Sequence, residues 1–388
     1  MRNRKSNTPS QASENARKAM FRRGKKGVSD PNTQYYIVIG GFVAVMAAVG
    51  VYMFMNPKES LLNRQVIDSD ELLVQNVQNQ FFQSGPNDQF VGYTMNDARK
   101  FFNLGIADSP NLPSCEPITD VELPDSYDFR KDEARKNCVG EPRKAGDCTA
   151  GHVLSVVSTV EDRICIANNG KERFRLSAQD AISCDETNFN CDGGYVTHTL
   201  DYGRDQGFIR EECFPYEGKN MTCPDQENKC RANKEQYNLM SYCVVQGPDA
   251  IKKEILQSGP VIAPMSPFTD FLTYKEGVYF PSESAFKFNG QQALKIVGWE
   301  SSLQGEAWIV ENSWGTKWGE KGYAKVMAGH QDLGLDFIGI WPKPIPMPLN
   351  DWESKMEEMQ QQYETEQQSN SQDVEVPIDE VSEEAPTQ

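Results

Sequence analysis

Ten cysteines and three histidines are the residues of this 388-residue chain that could carry redox, nucleophilic or metal chemistry. The cysteines, at 115, 138, 148, 165, 184, 191, 213, 223, 230 and 243, all follow the uncharged stretch from Tyr35 to Met55. An even count confined to one side of such a stretch points to disulfides formed in an oxidising compartment. Metal binding is the competing use, but the spacings are irregular and only His152, His198 and His330 could help. No metal and no cofactor is therefore expected. A cysteine nucleophile would need its thiolate favoured by a helix N-terminus and a nearby histidine. The three histidines have to be placed before that chemistry can be judged.

The elements around them are legible. From Gly151 to Ile166, Val153, Leu154, Val157, Val160 and Ile164 recur at three- and four-residue spacing, which predicts one long buried helix. Ahead of it runs Leu123-Pro-Asp-Ser-Tyr-Asp-Phe-Arg130; after it come Ser177-Ala-Gln-Asp-Ala-Ile-Ser-Cys184 and Cys191-Asp-Gly-Gly194. Cys213-Phe-Pro-Tyr216 and the segment from Asp270 to Tyr279 follow, then the strand-like Ala293 to Trp299 and Trp308-Ile-Val-Glu-Asn-Ser-Trp-Gly315. From residue 123 to about 345 this succession resembles the papain-like cysteine peptidases, cathepsin B and dipeptidyl peptidase I especially. The resemblance implies an α+β fold of two subdomains over 123–348. A helical half would span 123–235 and a β-barrel-like half 236–345, with a cleft between them.

It also implies which positions should carry catalysis. Glu161-Asp-Arg-Ile-Cys-Ile166 is close to the cathepsin B helix and fixes the register. Cys148 then falls on the family's structural cysteine, Gly151 on the nucleophile, His152 on the tryptophan beside it and Ala145 on the oxyanion-hole glutamine. The histidine base falls on Gln292, its orienting asparagine on Asn312 and the shielding tryptophan on Trp314. Glycine has nothing to attack with, and an amide takes up no proton near neutral pH. Making Cys148 the nucleophile would shift the helix three residues against its apolar face. It would supply neither an upstream glutamine, since Pro142 stands there, nor a histidine. Gly193 and Gly194 match the glycines whose backbone lies close to an extended peptide. The pairings implied are Cys138 with Cys165, Cys148 with Cys191, and Cys184 with Cys213 or Cys223. No histidine follows Tyr216 before His330, so the histidine-bearing occluding loop of cathepsin B is absent.

Charge is unevenly placed. Residues 1–55 hold nine Lys or Arg against Glu14 and Asp30, a net +7, which leaves −24 on the remainder of a chain totalling −17. So acidic a body argues against a nucleic-acid partner. Residues 1–34 read as a disordered basic tail. The 21 uncharged residues 35–55 are long enough for a bilayer-spanning helix. The basic flank predicts a signal anchor with the N-terminus cytosolic and the cysteine-bearing part lumenal or extracellular. That places the protein in a single-pass membrane of the secretory system or the cell surface. Gly40, Ala44 and Ala48 form a small-residue stripe for packing on another transmembrane helix. Asn220-Met-Thr is a glycosylation sequon. Residues 56–122 read as a stalk and propeptide-like lead-in, with a short helix capped by Thr94 and stopped by Gly105. Residues 349–388 read as an acidic disordered tail in which Trp352 to Tyr363 could form a short helix. The expectation is a membrane-anchored, non-catalytic papain-like protein whose cleft holds a peptide or protein ligand or its own lead-in segment. A structural subunit of a membrane complex is the second reading. An active peptidase with unconventional residues, marked by a reactive thiol at Cys148, is the third.

Overall fold

A computed structural model describes residues 61–107, 112–224, 228–303 and 305–372. The basic segment 1–34, the stretch 35–55 with Gly40, Ala44 and Ala48, and residues 373–388 lie outside the described residues. Among the described residues no helix is long and apolar enough to cross a membrane. From Leu62 onward the described chain forms one compact unit.

In chain order its elements begin with α1 (Ser69–Gln78), β1 (Phe82–Ser84), α2 (Met95–Ala98), β2 (Leu104–Gly105) and β3 (Tyr127–Asp128). The helical half follows as α3 (Gly151–Ala167), α4 (Ala178–Cys184), β4 (Gly194–Tyr195), α5 (Val196–Asp205) and α6 (Lys229–Ala232). The second half is β5 (Leu239–Gln246), α7 (Pro248–Ser258), β6 (Val261–Met265), β7 (Tyr274–Tyr279), β8 (Gln292–Ser302), β9 (Gly305–Glu311), β10 (Tyr323–Met327) and β11 (Ile338–Pro344). A last helix, α8, runs over Leu349–Gln372.

The large sheet orders its strands β1-β7-β10-β9-β8-β6-β11-β5, with β3 added to β8. Its ends do not meet, so the barrel-like half expected from the sequence is instead an open sheet. Val244 on β5, Ile262 on β6 and Ile340 on β11 share a core with Val153, Val157, Val160 and Ile164 of α3. Burying that end of the sheet against the helical half leaves no reason for it to curl back onto β1. The helix α3 is enclosed on all sides, from Gly151 to Cys165. Its charged residues are buried with partners, whereas the buried His152 ring finds none among the described residues. Arg163 donates to the carbonyls of Gly259 and Pro260, both at 2.9 Å, and Asp162 accepts from Lys295 at 2.7 Å. Lys295 also lies 2.9 Å from Glu311, tying α3 to β8 and β9.

Two expectations are corrected. From residue 62 the lead-in is not a stalk. Val66, Phe82, Phe90, Phe101 and Phe102 sit in one core with Trp299, Trp308 and Trp318, and β1 pairs with β7. Aromatic side chains of that size have too much apolar surface to remain in solvent. Nor is the tail disordered from residue 349: the helix expected over Trp352–Tyr363 is present and longer, α8 running from Leu349 to Gln372. Its sequence holds strong helix formers without Gly or Pro. Its start is fixed by the Leu349 and Asn350 amides donating to Gln236 and Lys234.

Candidate active site

The residues matched by register do meet. A Cβ built on Gly151, the first residue of α3, would lie 3.6 Å from both the nitrogen and the oxygen of the Gln292 side-chain amide. Gln292 opens β8 and donates through Nε2 to Asn312 Oδ1 at 2.8 Å; both residues are buried. The remaining polar atoms of that pair, Gln292 Oε1 and Asn312 Nδ2, find no partner among the described residues. Trp314 is buried beside them, edge-on to Phe90 and Trp318. Ala145 is held by its backbone, its amide donating to Ser313 and its carbonyl accepting from the Tyr216 hydroxyl, both at 2.8 Å. Its methyl group offers no donor to a developing oxyanion. Gly151, Gln292 and Asn312 thus lie together, and none of the three carries a thiol, a hydroxyl or an imidazole.

The cysteines and histidines do not fill the gap. All ten cysteines are paired: Cys115–Cys243, Cys138–Cys165, Cys148–Cys191, Cys184–Cys223 and Cys213–Cys230. No thiol is left to form a thiolate. His152 is 1% exposed on the first turn of α3, and burial holds its imidazole down to about 3, so it stays neutral. His198 is at the surface of α5, its Nδ1 2.9 Å from the Thr187 carbonyl. His330 lies far along the chain in the turn after β10, where its carbonyl accepts from Leu333. Asn220, the sequon residue, is exposed, with Oδ1 accepting from the Cys191 amide at 2.9 Å. No cluster of metal-ligating side chains occurs among the described residues.

The lead-in itself occupies the cleft, one of the occupants the sequence suggested, by a course the sequence did not specify. Thr94 caps α2 through a reciprocal pair with Asp97, and a 3-10 turn over Arg99–Phe102 follows. The chain then leaves helical geometry at Asn103, two residues before Gly105, and crosses the cleft as β2. There Leu104 and Gly105 pair in parallel with Gly194 and Tyr195 of β4. Both walls bind its carbonyls. The Gly194 and Thr197 amides donate to Asn103 and Ile106 at 3.2 and 3.0 Å, and the Gln291 amide donates to Phe102 at 3.0 Å. The approach is so close that a Cβ on Gly193 would stand 2.0 Å from the Asn103 oxygen, and one on Gly290 1.8 Å from that of Phe102. Both glycines also have φ near +108°, where a side chain is strained. Gly290 was not among the expected cleft residues. Leu104 Cδ1 covers Gly151, lying 2.8 Å from where its Cβ would be. At Trp314 a cavity of about 540 Å³ stays open, lined also by Asp88, Glu141, Lys144, Tyr216 and Lys317 among others.

Comparison with known proteins shows the family. Cathepsin B-like cysteine proteinase 2 of Haemonchus contortus is 30% identical over 258 residues, covering 57% of this chain and 73% of its own. Cathepsin B-like CP3 of Giardia intestinalis is 31% identical over 228 residues, covering 56% and 74%. Among solved structures, procathepsin B S9 of Trypanosoma congolense has the same fold. It superposes with a TM-score of 0.64 at 23% identity over 72% of this chain and 99% of that one. The family described as papain family cysteine protease matches residues 123–337, more than half of the chain, and the protein belongs to that family.

Proposed function

We propose that this chain is a membrane-anchored pseudopeptidase whose papain-like domain holds an extended peptide segment and does not cut it. The observation that carries this is the pair facing each other across the cleft, Gly151 and Gln292. In this geometry the first has no nucleophilic atom and the second no basic one, and all ten cysteines are committed to disulfides. The peptide-binding backbone around Gly193 and Gly194 is nevertheless intact, and its donors are used by residues 102–106 of the same chain. The open cavity beside Trp314 offers room for a further peptide or protein ligand. The anchor rests on the uncharged run 35–55 and the basic flank before it, and the lumenal or extracellular placement on that orientation and the disulfides.

A restoration experiment tests the proposal. The protein with its natural site and a variant carrying Ala145→Gln, Gly151→Cys, Gln292→His and Leu104→Ala are compared on a panel of fluorogenic di- and tripeptides. Both carry Cys115→Ser and Cys243→Ser and both are cut within 116–122, so that the strap, residues 102–106, can leave the cleft. The Leu104 change clears the side chain that would press on a thiol introduced at position 151. Silence from the natural site with turnover by the variant is the expected result. The natural site should trail it by orders of magnitude, since loss of nucleophile or base from such a site costs on the order of 10⁶ in kcat. Inhibitor-sensitive turnover by the natural site would sink the proposal.

A further inference from the structure

One disulfide has a different reach from the other four. Cys138–Cys165, Cys148–Cys191, Cys184–Cys223 and Cys213–Cys230 all lie within the papain-like domain. Cys115–Cys243 joins the lead-in to β5 across 128 residues of sequence. Backbone bonds reinforce the junction: the Cys115 amide donates to the Val244 carbonyl at 2.9 Å, and the Val244 amide to the Pro113 carbonyl at 2.8 Å. Immediately after it, residues 116–122 form coil without a backbone hydrogen bond, with Glu116, Pro117, Thr119, Asp120 and Glu122 exposed. This is where the chain offers itself to proteases, because exposed backbone without hydrogen bonds is what they cut. It is also the stretch that separates the strap from the domain's first strand, β3.

We propose that Cys115–Cys243 is a retention tether, which keeps the lead-in bound and its residues 102–106 in the cleft after the backbone has been cut within 116–122. Without it, a cut would turn the strap into a separate chain held only by packing and hydrogen bonds, and free to be displaced. With it, rebinding is intramolecular at an effective concentration of roughly millimolar, so a micromolar ligand competes poorly. The cleft then opens only when a cut is joined by loss of this bond. Exchange with a dithiol does that: the dithiol is oxidised to its disulfide, and Cys115 and Cys243 each take up one hydrogen. The inference is independent of whether the domain hydrolyses peptides.

The test uses two forms of the full chain in which a seven-residue recognition sequence for a site-specific protease replaces 116–122. One keeps both cysteines; the other also carries Cys115→Ser and Cys243→Ser. After cutting, the tethered form runs as one band on a non-reducing denaturing gel and as two with reductant, and the serine form as two in both. A fluorescent peptide with the sequence of residues 97–108 then binds the cut serine form at least tenfold better than the cut tethered form. Two bands from the tethered form without reductant overturn the proposal. So does equal peptide binding by the two cut proteins, whether both bind or neither does, because retention would then owe nothing to the disulfide. Circular dichroism before cutting checks the fold. If the serine pair does not fold, Cys115→Ala with Cys243→Val takes its place, since it keeps β5 apolar there.

Discussion

At the scale of single residues, His152 shows how far the site has moved from acid–base work. It lies on the first turn of α3, next to Gly151, where a family enzyme has its nucleophile and a neighbouring tryptophan. Burial lowers its pKa from 6.5 to about 3, and the positive end of the helix works in the same direction. Its protonation is therefore resisted by the folded state and not by the unfolded one. The sign follows directly: the folded state is favoured above about pH 6.5, and the advantage is lost as pH falls toward 3. The limiting slope is about 1.4 kcal/mol per pH unit for one proton. His152→Leu, of similar volume, should flatten the dependence of unfolding free energy on pH between 6.5 and 4, measured by urea titration against the natural protein. Curves that stay parallel would assign the acid sensitivity to other groups.

At the scale of elements, the strap depends on close backbone approach. Gly290→Ala places a methyl group 1.8 Å from the Phe102 oxygen and demands a strained φ, at a cost of at least about 1–3 kcal/mol. The strap is the partner able to retreat, since β8 beyond Gly290 is held by β6 and β9 on either side. Amide hydrogen exchange over 99–107 should therefore quicken at least tenfold while β8 and β9 keep their protection. Loss of protection in β8 as well would mean that the strap and the sheet are one element. This contact also marks the limit of what could be read from the sequence. The helix over 151–166 and the strand from Ala293 were legible from local periodicity, whereas the meeting of Gly151 with Gln292 and Asn312 followed only from the resemblance to the papain family. The course of residues 99–107 was not. Asn103 and Leu104 read as helix on propensity, and only donors of the cleft, far along the chain at Gly194, Thr197 and Gln291, draw the backbone out straight after the 3-10 turn that ends at Phe102. Cys115 with Cys243 was unreadable for the same reason: the pairing is set by tertiary proximity, which spacing does not encode.

At the scale of the whole molecule, the lead-in and the papain-like domain should be one cooperative body. The core that contains Trp299, Trp308, Trp314 and Trp318 also contains Val66, Phe82, Phe90, Met95, Phe101 and Phe102. β1 extends the sheet at β7, and Lys317 pairs with Asp88 across the same join. Burial of a large apolar side chain is worth about 1.5–3 kcal/mol. The four lead-in phenylalanines alone thus contribute as much as a small domain's net stability. Removing residues 62–107 would expose the matching faces of Trp314 and Tyr274 and leave the Gly194, Thr197 and Gln291 amides without their acceptors. Urea unfolding of the full chain should accordingly give one transition, superimposable by tryptophan fluorescence and far-ultraviolet dichroism. A chain beginning at Leu123 should unfold at markedly lower urea or aggregate. Two separated transitions in the full, uncut chain, with residues 62–107 lost first, would instead mean that the lead-in and the domain unfold as separate bodies.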